Sequence, residues 1–429
     1  MNRFYLLLAS LMMMFFASSP VNGASYIEVT APGNRLLRLA VVAPQPTGSS
    51  INHQVANEMA DAQAFDLTMS GIFNAERKDA APLQQGLGLT QMDFVPWLTS
   101  GYDFLIRGEY DVRGEELTVE FRLFDVLNKK QILVKRYLGK LKDLRRYAHA
   151  FSDEVMLVMA GEKGPFTSRI AFASLGGSKE IYIMDWDGYN IQQITRNGAI
   201  NLGPDISPDG REVLFTSYKK GNPDLYKRAF ASSVDVPVSS RPGVNITGAW
   251  SPDGSSIAMA MSKDGNTELY RVRRDGSAPV RLTVTHAANL SPTWSPDGSR
   301  IAFVSDRLGG PQIFVMDSKG GSVRRLTTGG KYNVNPSWSP KGDKIAFARM
   351  AGGFQIFVVN ADGSGETQLT TEGSNEHPRW SPDGRLIAFS SKRGGAQSIY
   401  VMRADGTGQT KVSRTGIASR HPAWSPRWQ

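Results

Sequence analysis

The stretch Thr293–Ser305, TWSPDGSRIAFVS, joins an aromatic residue, a Ser-Pro-Asp-Gly turn and a short apolar run. A catalytic motif normally occurs once, whereas a structural unit recurs, and this one recurs. The chain reads DISPDG from Asp205, AWSPDG from Ala249, TWSPDG from Thr293, SWSPKG from Ser337, RWSPDG from Arg379 and AWSPRW from Ala423. The serines at 207, 251, 295, 339, 381 and 425 are spaced by 44, 44, 44, 42 and 44 residues. A fixed period in this range marks a propeller or a solenoid.

Each unit holds four runs of strand length. The third full copy shows PTWS, then RIAFVS (Arg300–Ser305), QIFVMD (Gln312–Asp317) and VRRLT (Val323–Thr327), each bounded by turn residues. Four strands in about 44 residues fit a propeller blade; a β-helix coil is shorter and an α-solenoid would show helical spacing. The IAF core is apolar on both faces, as a sheet covered on both sides requires. In the turn, Pro presets φ, Asp tolerates the third position, and Gly accepts the left-handed conformation. Trp250, Trp294, Trp338, Trp380 and Trp424 precede five of the turns, with Ile206 before the first. This placement predicts packing between blades.

The array opens with RIAFAS at Arg169, a second-strand element with no Ser-Pro turn before it, and stops just after a first strand. The C-terminus is therefore expected to supply the missing strand. Pairing of Ala423–Ser425 beside Arg169–Ser174 would close six blades into a ring and remove exposed edges.

Upstream the repeat is absent. LLRLAVVAP (Leu36–Pro44) reads as a buried strand, Ile51–Phe65 as a helix and Asp66–Phe73 as a short second helix. Three strands follow in YDFLIRGEYDV, ELTVEFRLFDV and KQILVKRYLG, with Leu117, Val119, Phe121 and Leu123 alternating onto one face. Lys142–Gly161 has helical spacing. The predicted organisation is a signal peptide over 1–23, an α/β domain over 24–162 and a six-bladed β-propeller over 163–429.

The 429 residues include no cysteine, which excludes disulfides, thiol catalysis, Cys-metal sites and lipid attachment after the leader. A short basic start, an apolar run from Phe4 to Ala17 and small residues before Ala24 read as a cleaved secretory leader, too short to span a membrane. No later stretch is long and apolar enough to cross. The net charge of +9 comes from dispersed rather than clustered basic residues, so nucleic acid is not an expected partner.

Catalytic signatures are absent: there is no G-x-S-x-G, Walker A or H-E-x-x-H. No catalytic residue, cofactor or metal is expected. The second repeated signature (DWDG, RRDG, DSKG, NADG, RADG) lacks the closing Glu of a calcium loop and reads as a hairpin turn. His53 and His149 fall in the N-terminal helices, where surface or capping roles are expected. His377 and His421 each stand three residues before a Trp, in a ring with Gly203, Thr247, Ser291 and Asn335. If first strands line the channel, that ring would sit at one mouth. No carboxylate recurs beside it, so a pH-sensitive partner contact is expected over a metal site.

The pieces FDLTMSGIF, EFRLFDVLNKKQILVKRY, GEKGPFTSRIAFAS, IYIMDWDGYNIQQIT and the terminal PAWSP together resemble the TolB family of the Tol-Pal system. The resemblance covers essentially the whole mature chain. It implies a non-enzymatic periplasmic adaptor, monomeric, that binds the lipoprotein Pal through one propeller mouth and TolA through the mature N-terminus. Other outer-membrane lipoproteins or porins are further candidate partners. Carried onto this chain, the Pal surface falls on Val244, Asn245, His286, Asn289, Leu290, Tyr332, Asn333, Asn375, His377, Arg420 and His421. The TolA contact falls on Ala24, Ser25, Tyr26, Ile27, Glu28, Val29 and Thr30, by strand addition. Unit two departs from the rhythm in LYKRAFASSVDVPVSSRPG, which lacks the Asp-Gly landmark. An exported propeller hydrolase and a peptidoglycan- or carbohydrate-binding propeller remain open alternatives; Tyr332 is the one obvious aromatic at the mouth.

Overall fold

The computed structural model describes residues 35–48, 52–78, 92–414 and 416–428. The expected leader and the tail Ala24–Thr30 lie outside the described residues. The α/β domain is built on β1 (Leu37–Val42), β2 (Gln45–Pro46), β3 (Phe73–Lys78), β4 (Phe104–Arg113), β5 (Glu116–Asp125) and β6 (Lys130–Lys140). The sheet order is β3-β1-β4-β5-β6, with β2 also against β4. β1 runs parallel to β3 and β4, whereas β4, β5 and β6 form an antiparallel meander. Leu117, Val119, Phe121 and Leu123 are all buried, as their alternation predicts. Helices α1 (His53–Met69) and α3 (Leu144–Ala160) share a core with that face, and Gly161 ends α3 in the left-handed conformation at φ 76°.

One upstream reading needs correction, and two further elements were not read from the sequence. The segment 53–73 does not form two helices: α1 runs unbroken through Asp66 to Met69, and the Asp66 side chain is engaged in the tertiary structure rather than capping a new helix. Phe73–Lys78 is an edge strand with only Phe73 fully buried, so it carries no clear alternation. A short helix, α2 (Val95–Thr99), starts at a proline-bearing turn and buries Trp97.

The propeller has six four-stranded blades. Their innermost strands are Ser419–Trp424 (blade 1), Asn201–Ile206 (blade 2), Asn245–Trp250 (blade 3), Asn289–Trp294 (blade 4), Asn333–Trp338 (blade 5) and Asn375–Trp380 (blade 6). Closure is as expected: Ser419 pairs with Ser174, Ala423 with Ala171 and Trp424 with Ile170. Ser425 extends the seam, accepting from Arg169 N–H at 2.8 Å on its Oγ. Blade 2 keeps four strands despite its irregular sequence. Its outer strand is Val236–Ser239, and Asp235 just before it is held by Lys219 and Arg228 at 2.7 and 2.6 Å.

The repeated motif does two structural jobs. In the first turn Gly210 N–H donates to Ser207 C=O at 2.8 Å, and Ser207 Oγ donates to Asp209 at 2.6 Å. The preceding tryptophan spans the gap between blades. Trp294 Nε1 donates to Ala249 C=O at 3.2 Å and Trp380 Nε1 to Ser337 C=O at 3.1 Å, each in the previous blade's inner strand.

Candidate partner-binding mouth and interdomain joint

Strands in a blade alternate direction, so the Ser-Pro-Asp-Gly turns between strands one and two and the DWDG-type turns between strands three and four share one face of the propeller. The loops leading into the innermost strands open on the opposite face. The α/β domain packs on the turn face: Arg403 donates to Thr68 C=O at 2.7 Å, and Arg385 in blade 6 pairs with Glu162 at 2.9 Å. The expected partner loops therefore surround the mouth remote from the α/β domain.

At that mouth the second residue of each inner strand forms a collar. Leu202, Ile246, Leu290 and Val334 are half-buried, as are Glu376 and Arg420. Loop residues rise around it. His286 is exposed, Val244 is half-buried, and Tyr332 is 42% exposed and edge-on to Phe354 at 5.8 Å. Below the collar the next residue of every inner strand is left-handed: Gly203, Thr247, Ser291, Asn335, His377 and His421 have φ of 57°, 52°, 51°, 54°, 55° and 54°. Each inner strand shifts register at this point, a bulge that turns the side chain of this ring toward the channel. The ring surrounds a central cavity of about 210 Å³.

Four of the expected contact residues take another role, and two sit deeper than the mouth. Asn245, Asn289, Asn333 and Asn375 are completely buried, so their side chains are not available to a partner. They brace the mouth. Asn289 Nδ2 donates to Glu268 and Thr285 at 2.8 Å and to Ala287 C=O at 3.1 Å, and its Oδ1 accepts from Arg307 at 2.9 Å. The signal was present, since Asn also stands at 201 and recurs at the period of the repeat, as a structural residue should. His377 and His421 line the channel below the mouth, with ring centroids 4.0 Å apart and planes at 87°. Burial, then the Arg379 and Arg420 charges, pushes His377 down to about 3. His421 is lowered by burial, His377 and the same arginines. Both imidazoles are therefore neutral at physiological pH in the free chain. Val244, His286, Leu290, Tyr332 and Arg420 stay at or around the mouth.

His149 also departs from expectation. It is buried between the domains: Nδ1 is 2.8 Å from Asp66 Oδ2, and Nε2 stands 3.3 Å from Asp187 Oδ2 without hydrogen-bond alignment. Asp187 belongs to the DWDG hairpin of blade 1 and also pairs with Arg145 of α3. Its neighbour Trp186 is fully buried, stacked on Phe65 at 5.0 Å and against Phe166 at 5.3 Å. Burial alone would lower His149, but the two carboxylates outweigh it and hold the imidazole protonated. Burial would raise Asp187, but His149 and Arg145 hold it well below the carboxylate range. His149, Asp185 and Asp187 bring ligand-type atoms within 4.8 Å of one another. Arg145 and a protonated His149 already neutralise Asp187 there, so the cluster acts as an ion-pair joint. The sequence signal was the tryptophan: among the five hairpin signatures, DWDG alone places an aromatic where the others carry Arg, Ser or Ala.

Fold and site together define a six-bladed β-propeller joined to an α/β domain, with an open collared mouth on the free face. The TolB beta propeller domain matches residues 157–428 and the TolB amino-terminal domain matches residues 25–132. The chain belongs to the TolB family. It is 55% identical to the Tol-Pal system protein TolB of Geobacter metallireducens over 429 residues, all of both chains. It is also 55% identical to that of Geobacter sulfurreducens, over 94% of each. Among solved structures, TolB from Acinetobacter baumannii superposes with a TM-score of 0.79 at 23% identity, covering 91% of this chain and 97% of that one. No described helix is long and apolar enough to cross a membrane.

Proposed function

We propose that this chain is a periplasmic, non-enzymatic adaptor of the Tol-Pal system. In this reading it holds the peptidoglycan-associated lipoprotein Pal on the mouth remote from the α/β domain. It engages TolA through the mature N-terminus, Ala24–Thr30, by strand addition. The adaptor would support outer-membrane integrity and envelope constriction at division. Other outer-membrane lipoproteins or porins could use the same mouth, and nucleic acid is not a partner.

The observation that carries the reading is the collar. Leu202, Ile246, Leu290 and Val334 offer an arc of half-buried aliphatic surface over blades 2 to 5 at an open mouth, with Glu376 and Arg420 completing the collar and His286 and Tyr332 on the loops around it. Apolar anchors inside a polar rim are how protein partners are held. Family membership and the leader-like N-terminus support the system and the compartment. The test is calorimetric titration of the mature chain with the soluble domain of the same organism's Pal. Saturable one-to-one binding supports the adaptor; no binding reduces the inference to fold. Deleting residues 24–30 should abolish TolA binding.

A further inference from the structure

The central cavity has a chemistry of its own. Its lining includes the left-handed ring, the prolines that follow it and Arg379. Among the described lining residues Arg379 is the only one with a formal charge at neutral pH, and none is a carboxylate. Among the described residues no carboxylate comes within ion-pair distance of the guanidinium. Asp205 of blade 2 feels its charge, but an Asp205 oxygen instead accepts from Trp250 N–H at 2.9 Å. His377 and His421 share the lining, and the Nδ1 of each is sealed among protein atoms without a partner. Nε2 is thus the nitrogen left to face the cavity. Ser291, Thr247 and Asn335 add neutral polar groups to the same wall.

From this arrangement we infer that the cavity is a receptor for a single carboxylate group, held by Arg379 with His377, His421 and Asn335 around it. A guanidinium presents parallel N–H groups that match a carboxylate fork, and the pair is strongest away from bulk water. The cavity of about 210 Å³ holds a carboxylate side chain or a small acid with a few waters, each water taking about 30 Å³. A metal cation would meet Arg379 and no acidic ligand. A neutral sugar would leave Arg379 unmatched. The carboxylate has two sources: a free small acid, or an acidic side chain that a partner inserts through the collar. The second source rests on the proposed adaptor function; the first does not.

The probe is sodium acetate, titrated into the mature chain against sodium chloride at equal ionic strength. Imidazole proton–nitrogen spectra provide the readout. The resonances of His377 and His421 should shift saturably with acetate while those of exposed His53 and His286 stay fixed. Arg379→Gln should weaken acetate binding at least about tenfold, the worth of one charge-assisted hydrogen bond, and Arg379→Lys should restore part of it. Absence of a saturable shift in the wild type overturns the proposal, as does an equal shift in a folded Arg379→Gln. Should Arg379→Gln fail to fold, the wild-type comparison of acetate with chloride decides alone. Competition between acetate and the Pal domain would identify a partner's acidic side chain as the occupant. Saturable acetate with undiminished Pal binding would identify a free small acid and leave the adaptor reading intact. Saturable acetate with no Pal binding would support the receptor while removing the adaptor reading.

Discussion

Trp186 Nε1, on the first blade, donates to Asp66 Oδ1, in the first helix of the α/β domain, at 3.2 Å. The same carboxylate faces His149 at 2.8 Å, so one buried acid ties two helices to a propeller hairpin. Around this bond the indole lies among Phe65, Phe166 and Trp424, with ring centroids 5.0, 5.3 and 6.5 Å away. The hydrophobic core runs continuously through the joint, from α1 and α3 into blades 1 and 6.

A joint of this kind predicts coupled unfolding. Trp186→Ala removes a fully buried aromatic and should cost about 3–5 kcal/mol. Scanning calorimetry of the wild type should show one transition, and the variant two, with the α/β domain melting first. A variant that still melts as one unit would show that the linker, not the hairpin, couples the domains.

The joint should also respond to alkali. A histidine raised in the folded state contributes fully below its unfolded value of about 6.5 and loses that contribution as pH rises through the folded value. Asp187, held low, contributes above about 3.9 and loses it as pH falls through its folded value. With both groups counted, docking should be tightest between about pH 4 and about pH 6.5 and weaken steadily above that, up to the raised value of His149. The melting temperature should fall on the alkaline side in the wild type and lose that dependence in His149→Asn. Parallel alkaline profiles for the two proteins would rule out His149 as the source.

The buried asparagines at the inner-strand starts should matter for stability and not for contact. Asn289→Ala leaves Glu268 and Arg307 without a shared partner and should cost about 1–3 kcal/mol in urea unfolding. Affinity of the folded variant for Pal should match the wild type. A selective loss of affinity at unchanged stability would return this residue to the partner surface.

Ring closure is open to truncation. Removing residues 419–429 exposes the edge of Arg169–Ser174 and takes Trp424 from the joint, where its indole donates to Ser168 Oγ. The truncated chain should lose its cooperative melt and scatter light through edge pairing. An unchanged melt would mean that the seam contributes little to stability.

The propeller was legible in the sequence because each blade repeats the same local physics: a proline-fixed turn, an apolar strand covered on two faces, and a tryptophan between blades. Even closure followed from the strand that opens the array. What escaped was long-range. His149 looks like any helical histidine until Asp187, far along the chain, comes to face it. The edge strand Phe73–Lys78 has one apolar anchor and pairs on only one side, so no alternation marks it. His377 and His421 were found as members of a ring. Their depth depends on a bulge that shifts the register of every inner strand, and no residue type in the motif announces it.

The central claim is that the collared mouth binds Pal, and Leu290 tests it most directly. Leu290 is half-buried in the collar and packs against the clusters between blades 3 and 4 and between blades 4 and 5. The measurement is calorimetric titration of the soluble Pal domain into the wild type, Leu290→Asp and Tyr332→Ala, with circular dichroism confirming each fold. Wild type should bind one to one. Leu290→Asp, which buries a charge at an apolar anchor, should weaken binding about a hundredfold or more, and Tyr332→Ala about tenfold. Wild-type affinity in a folded Leu290→Asp would contradict the account and move the Pal site away from this mouth.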